Sequence, residues 1–260
     1  MLDAVFMGTP GFAVPALDAL AGMRGDLAVR ICAVYTQPDR PVGRGLEVRP
    51  CPVKMRALEL GLQVFQPEKL TAPGEFEKLS ALKPDVIIVV AYGQILRRNV
   101  IELPRLGCVN LHSSLLPRWR GAAPIQAAIL AGDKESGVTT MRIIEKLDAG
   151  DILLQEKTPL AADETAGSLH DRLAAMGAAL LVKTVRGLSD GALPAHTQEE
   201  SLATCAPKLT KEMEWLDPSR PVAELYRKIR ALDPWPGTSV WVEGEGRLKI
   251  RGAVPCAGVP

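Results

Sequence analysis

The run Asp85-Val-Ile-Ile-Val-Val-Ala91 limits the fold more than any other stretch of the chain. Five β-branched residues in a row leave neither side of a strand polar, so the strand must be covered on both faces. That is the place of a central parallel strand with helices above and below it. The run is far too short to span a bilayer.

The remaining elements fit that frame. Short apolar runs read as strands over 4–7, 30–36, 62–65, 107–112, 137–144 and 151–158. Helices are expected over 11–21, 52–60, 75–82, 124–131 and 165–188, the last with Leu169, Leu173, Met176, Leu180 and Val185 at helical spacing. Thr9 is expected to cap the first helix, with Pro10 in its first turn. The alternation predicts an α/β fold: a Rossmann-like, doubly wound, mostly parallel sheet with antiparallel additions at one edge. Gly8-x-x-Gly11 is not Gly-x-Gly-x-x-Gly, so it reads as a tight turn rather than a dinucleotide site. A turn-rich stretch over 190–207 reads as a linker. Beyond it, over 208–260, lie a helix (222–232) and a hairpin (238–242 with 247–251, about Gly244-Glu-Gly246).

Lys and Arg number 31 against 30 Asp and Glu, so any nucleic-acid surface must be local. The five cysteines are scattered, with no Cys-x-x-Cys, and the three histidines are far apart. Neither a disulfide framework nor a sequence-local zinc site is expected. No signal peptide is expected either: Asp3 comes at once and the first apolar run breaks at Thr9-Pro10. A cytoplasmic protein follows.

Asn110 and His112 are two residues apart, and on a strand that puts both on one face with Cys108. Such a pair at a strand end reads either as a hydrogen-bonded structural pair or as chemistry. Asp148, before Ala149-Gly150, reads equally as a turn residue. The segment from Gln37 to Lys54 has no periodicity and is too polar and broken for a packed element. Arg40, Arg44, Arg49 and Lys54, with Arg56 just beyond, outnumber Asp39 and Glu47. It is a solvated loop or a basic arm.

The longer order is Asn110-Leu-His112-Ser-Ser114-Leu115-Leu116-Pro117, then Gly121, then Leu147-Asp148-Ala-Gly150-Asp151-Ile-Leu about one βα unit later. With Phe6-Met-Gly-Thr-Pro near the start and Asp233-Pro-Trp235-Pro near the end, it resembles the formyltransferases that use 10-formyltetrahydrofolate. The resemblance covers nearly the whole chain and is greatest to members acting on methionyl initiator tRNA. It implies catalysis by Asn110, His112 and Asp148. Asn110 and protonated His112 supply donors to the developing oxyanion, and Asp148 orients His112 and takes the amine proton through a water. No covalent nucleophile is needed, so Ser113 and Ser114 are not given that role, and Asp151 is set aside. Ser114, Leu115, Leu116 and Pro117, with Gln94, Ile95 and Leu96, are implied to line the folate site; Leu96 reads equally as a core residue.

The implied formyl donor is 10-formyltetrahydrofolate, with no metal, and the implied acceptor is methionyl initiator tRNA. Pro38-Asp-Arg40-Pro-x-Gly43-Arg44-Gly45 is similar to the start of the loop that reaches the acceptor end of that tRNA. Relatives continue with two lysines where this chain has Leu46 and Glu47, which leaves Arg44 and Arg49 more of the phosphate work. The expected organisation is a catalytic domain over 1–189, the linker over 190–207 and a partial, oligonucleotide-binding-like β-barrel over 208–260, since relatives continue into a full barrel. A monomer is expected. The alternatives are formylation of an amino-sugar nucleotide on the same catalytic face, a non-catalytic folate- or RNA-binding protein, and a dinucleotide-dependent dehydrogenase. The basic loop favours tRNA over a sugar, and the Asn/His/Asp set favours catalysis.

Overall fold

The computed structural model describes residues 1–42 and 47–256. Arg44 and Leu46 lie outside the described residues, as do the last four. In chain order the elements are β1 (Leu2–Gly8), α1 (Val14–Ala21), β2 (Val29–Tyr35), β3 (Arg40–Val42), β4 (Glu47–Arg49), α2 (Pro52–Glu59), β5 (Val64–Phe65), α3 (Glu75–Ala81), β6 (Val86–Val90) and α4 (Arg98–Ile101). Then follow β7 (Cys108–His112), β8 (Arg120–Gly121), α5 (Pro124–Ala131), β9 (Glu135–Arg142), β10 (Ile152–Pro159), α6 (Ala166–Ser189), β11 (Cys205–Ala206), α7 (Val222–Ala231), β12 (Thr238–Val242) and β13 (Gly246–Ile250).

The chain divides into two compact units. The first holds Met1–His112, Val138–Glu156 and Ala174–Gln198; the second holds Ser113–Gly137, Lys157–Leu173 and Glu199–Pro260. The first is built on a seven-stranded sheet of order β10-β9-β7-β6-β1-β2-β5. β6 runs parallel to β1 on one side and to β7 on the other, and every residue of it is buried. Each such aliphatic side chain contributes roughly 1.5–3 kcal/mol on burial. β9 is antiparallel to β7, the departure expected at one edge.

Register carries one continuous row across the sheet. Tyr35 on β2 pairs with Met7 on β1, Met7 with Val89 on β6, and Val89 with Asn110 on β7. The first three belong to the core under this face, with Cys108 and Leu96. Asn110 therefore continues an apolar row with a polar group at a strand's C-terminal end. On the other face α6 closes over β7. A Cβ on Gly177 would lie 2.7 Å from Leu111 Cδ2, so this glycine sets how near the helix comes. A buried hydroxyl pair, Thr140 Oγ1 to Thr184 Oγ1 at 2.7 Å, ties β9 to α6.

Three expectations need correction. The segment after Gln37 is not structureless: β3 and β4 form an antiparallel ribbon in which Arg40 faces Arg49 and Val42 faces Glu47. Alternation is hidden there because the ribbon is exposed and has no apolar side to reveal. Thr9 caps no helix. Its hydroxyl donates to the Tyr92 carbonyl at 3.0 Å and accepts from the Gln37 amide at 3.2 Å, while residues 11–13 form a 3-10 turn ahead of α1. The stretch over 190–207 is more than a connector, since it includes β11 and the buried Gln198.

The second unit rests on α5 packed with α7 and on β8 paired in parallel with β11. Gly121 has φ +119° and a Cβ there would sit 2.6 Å from the Ala206 carbonyl oxygen, so only glycine fits that pairing. β12 and β13 form the expected hairpin, with Trp241 opposite Arg247.

Candidate active site

The site starts from β7. Its hydrogen-bonded neighbours fix Asn110 between Val89 and Met141, and His112 opposite Thr139. Asn110 is half-buried and His112 is buried. The connection from β9 to β10 returns Asp148 to this strand end. Asp148 Oδ2 lies 3.8 Å from His112 Nδ1, within ion-pair reach and longer than a direct hydrogen bond. Both side chains are about nine-tenths removed from solvent, at 11% and 8% exposure, so their interaction is little screened.

The loop bearing Asp148 is tightly determined. The Ile143 amide donates to the Cys108 carbonyl, and the Arg142 amide to that of Asp151, both at 2.9 Å. Asp148 itself has φ +50°, a left-handed conformation that aspartate tolerates better than most residues. Gly150 admits no side chain: a Cβ would fall 1.9 Å from the Arg142 carbonyl oxygen. Asp151, set aside from the sequence, gives its backbone carbonyl to this closure.

Cys108 shares the face of Asn110, but burial pushes its thiol up to about 12. Its sulfur lies 3.5 Å from the Val100 carbonyl oxygen. A neutral, buried thiol is not a nucleophile at physiological pH.

Gln94, Ile95 and Leu96 follow β6 in the same unit. Gln94 Oε1 accepts from the Leu70 amide at 2.7 Å and its Nε2 donates to the Pro67 carbonyl at 2.9 Å, which pins the loop. Ile95 is 78% exposed, whereas Leu96 is buried in the core. The other expected folate residues lie in the second unit. Ser114 Oγ donates to the Arg118 carbonyl at 2.7 Å, Leu116 is buried, and Leu115 and Pro117 are half-buried. Leu115 also lines a cavity of about 290 Å³ with Ser114, Arg118, Trp119 and Asp133.

The basic ribbon is anchored at its base. Gln66 donates to the Gln37 carbonyl and to Asp39, each at 2.8 Å, and Lys54 pairs with Asp39 at 2.5 Å. Lys54 holds the Asp39 carboxyl below its usual range. Arg49 donates to Glu47 through two nitrogens, at 3.0 and 2.7 Å, and both side chains are exposed. Arg40 is exposed and donates to Gln37 Oε1 at 3.3 Å.

One residue of the site was not legible in the sequence. Gln198, in a polar run without periodicity, donates to the carbonyls of Asp148 and Gly150. Among the described residues, no three or more His, Cys, Asp or Glu side chains are grouped to hold a metal ion. Nor, among them, is any helix long and apolar enough to cross a membrane.

The fold is a mostly parallel α/β sheet, with Asn110 and His112 on one strand and Asp148 brought within 3.8 Å of His112. Comparison with known proteins identifies the family: the chain belongs to the formyl transferase family, whose model matches residues 3–185, with the formyl transferase C-terminal domain matching 208–258. It is 54% identical over 256 residues to the methionyl-tRNA formyltransferase of Halorhodospira halophila (strain DSM 244 / SL1), covering 98% of this chain and 81% of that one. Identity to the methionyl-tRNA formyltransferase of Pseudomonas fluorescens (strain Pf0-1) is 52%, over 99% and 79%. Among solved structures, a 4-N formyltransferase from Francisella tularensis superposes with a TM-score of 0.75 at 15% identity, over 99% of each chain. At that identity the likeness is one of fold.

Proposed function

We propose that this chain transfers the formyl group of 10-formyltetrahydrofolate to the α-amino group of methionyl initiator tRNA, preparing it for translation initiation. One observation carries the reading: Asp148 stands 3.8 Å from His112, which is two residues along β7 from Asn110, in a chain 54% identical to a methionyl-tRNA formyltransferase along 98% of its length.

Formyl transfer to an amine passes through a tetrahedral species whose oxygen gains negative charge. Asn110 offers an uncharged N–H donor to that oxygen and protonated His112 a charged one. A preorganised donor of this kind is worth roughly 10²- to 10³-fold in rate. Asp148 holds the imidazole and, through a water, accepts the proton the amine loses. The buried setting strengthens each of these interactions.

The residues fit folate as co-substrate. Gln94 fixes the loop after β6 by its side chain, and the exposed Ile95 on that loop is available to a flat heteroaromatic ring. Leu96 backs the loop from the core. Ser114, Leu115, Leu116 and Pro117, in the second unit, are kept as folate residues on the family resemblance alone; the Ser114 hydroxyl is already bonded to the Arg118 carbonyl. Arg40, Arg44 and Arg49 meet tRNA phosphates. The catalytic part is 1–189 and the tRNA-docking part 208–260; the 190–207 stretch between them also carries Gln198 against the Asp148 turn. The protein acts as a cytoplasmic monomer; a sedimentation mass of one chain is expected, and a dimer counts against it.

Formylation of an amino-sugar nucleotide is the second reading. It draws on solved structures at 15–20% identity, which share the fold alone, while the curated relatives at 51–54% carry the tRNA name. Offering both acceptors with labelled 10-formyltetrahydrofolate tests the proposal. Label is expected on methionyl-tRNA; label on the sugar alone overturns it.

A further inference from the structure

Gln198 lies between the two spans matched by the family models, 3–185 and 208–258. Its side chain is buried in the first unit, with 7% of the residue exposed. Nε2 lies 2.9 Å from the Asp148 carbonyl oxygen and 2.7 Å from that of Gly150, with Met141 Sδ at 3.8 Å. An amide nitrogen has two protons to donate, and the two carbonyls match them. Gln198 is delivered there by a two-bond bridge two residues earlier: the Ile152 amide donates to the His196 carbonyl at 2.8 Å, and the His196 amide to that of Ile152 at 2.9 Å.

These bonds fall on the backbone that aims Asp148. That residue is left-handed, and at Gly150 the backbone passes so near the Arg142 carbonyl that no Cβ would fit. The turn directs two carbonyls inward, where water is scarce, and an unmet buried acceptor is costly. The amide that satisfies both fixes the turn, and with it the 3.8 Å approach of Asp148 to His112.

We infer that Gln198 is a positioning residue for formyl transfer, acting through the Asp148 backbone; this rests on the function proposed above. The test replaces Gln198 by Leu, close in volume and without donors, or by Met should the first variant not fold. In this 260-residue chain, kcat is expected to fall about 10- to 100-fold, the scale of a misplacement near 1 Å. KM for folate and for tRNA should stay within about threefold, since a positioning defect lowers kcat without weakening binding. Combined with Asp148→Asn, Gln198→Leu should slow the enzyme little further, because both act through one group. A purely structural defect would multiply with it. Amide hydrogen exchange over 145–151, read without any substrate, should quicken in the variant. Wild-type kcat, a multiplicative double variant, or unchanged exchange over that loop each overturns the inference. If the wild-type chain transfers no formyl group to tRNA, the functional reading fails, and the exchange result alone decides whether Gln198 holds the loop.

Discussion

The end of β7 and the β3–β4 ribbon belong to the same unit and carry the two kinds of polar residue the proposed reaction needs, yet they are built in opposite ways. At β7, Asn110 is held by strands on both sides and His112 by β9, and Asp148 sits in a turn where Gly150 has no space for a Cβ. On the ribbon, Arg40, Glu47, Val48 and Arg49 are all exposed, while the base is tied down by Gln66. The contrast follows from the tasks. Stabilising an oxyanion fails with an error of about 1 Å. Attracting phosphate falls off over roughly the 8 Å screening length at physiological salt, so a cation on an exposed ribbon serves well enough.

Breaking the rigid region should give the largest effects. His112→Ala is expected to lower kcat at least about 10³-fold, and Asn110→Ala about 10²- to 10³-fold, with folate binding kept. Single-turnover rates beside a folate titration check this; an Asn110→Ala enzyme near the wild-type rate would remove that residue from the mechanism. Gly150→Ala comes next. Its Cβ would meet the Arg142 carbonyl oxygen at 1.9 Å, so the turn must shift and Asp148 with it. A kcat loss of about 10²-fold is expected, with a lower melting temperature.

The ribbon should respond by degrees. Arg40→Ala is expected to weaken tRNA binding and to reduce the slope of log affinity against log salt by about one. Glu47→Gln should do the reverse, since it releases Arg49 from a two-nitrogen ion pair. Unchanged affinity and slope in both variants would take the ribbon out of the tRNA interface.

The smallest effect concerns Cys108, whose thiol is held near 12 in the fold against an ordinary value near 9. The folded chain then keeps its proton where the unfolded chain has lost it. Stability is full below pH 9 and declines as pH rises from 9 towards 12. Cys108→Ala should flatten that decline in a denaturant series. At pH 8, a thiol reagent should label the exposed Cys205 and Cys256 while sparing Cys108.

What could be read from the sequence follows the same division. The β-branched run of β6, and Pro124 at the head of α5, state their structures locally. So does Asn-x-His, because two-residue spacing on a strand fixes a face. Asp148 needed the longer motif, since Asp before a glycine turn describes many loops. The ribbon was hidden because strands without a buried side show no alternation. Thr9 looked like a cap because its neighbours suit one, but Tyr92 and Gln37, distant in sequence, take its hydroxyl instead. Gln198 left no trace at all: its two acceptors lie 50 and 48 residues away, and they are backbone atoms whose side chains say nothing of it.

The most direct measurement is single-turnover transfer of labelled formyl from 10-formyltetrahydrofolate to methionyl initiator tRNA, by the wild-type chain and by His112→Ala side by side. The expected result is formylmethionyl-tRNA from the wild type, with at least about a thousandfold slower formation by the variant at equal folate occupancy. Equal rates from the two, or folate bound by the wild type with no product, would contradict the account.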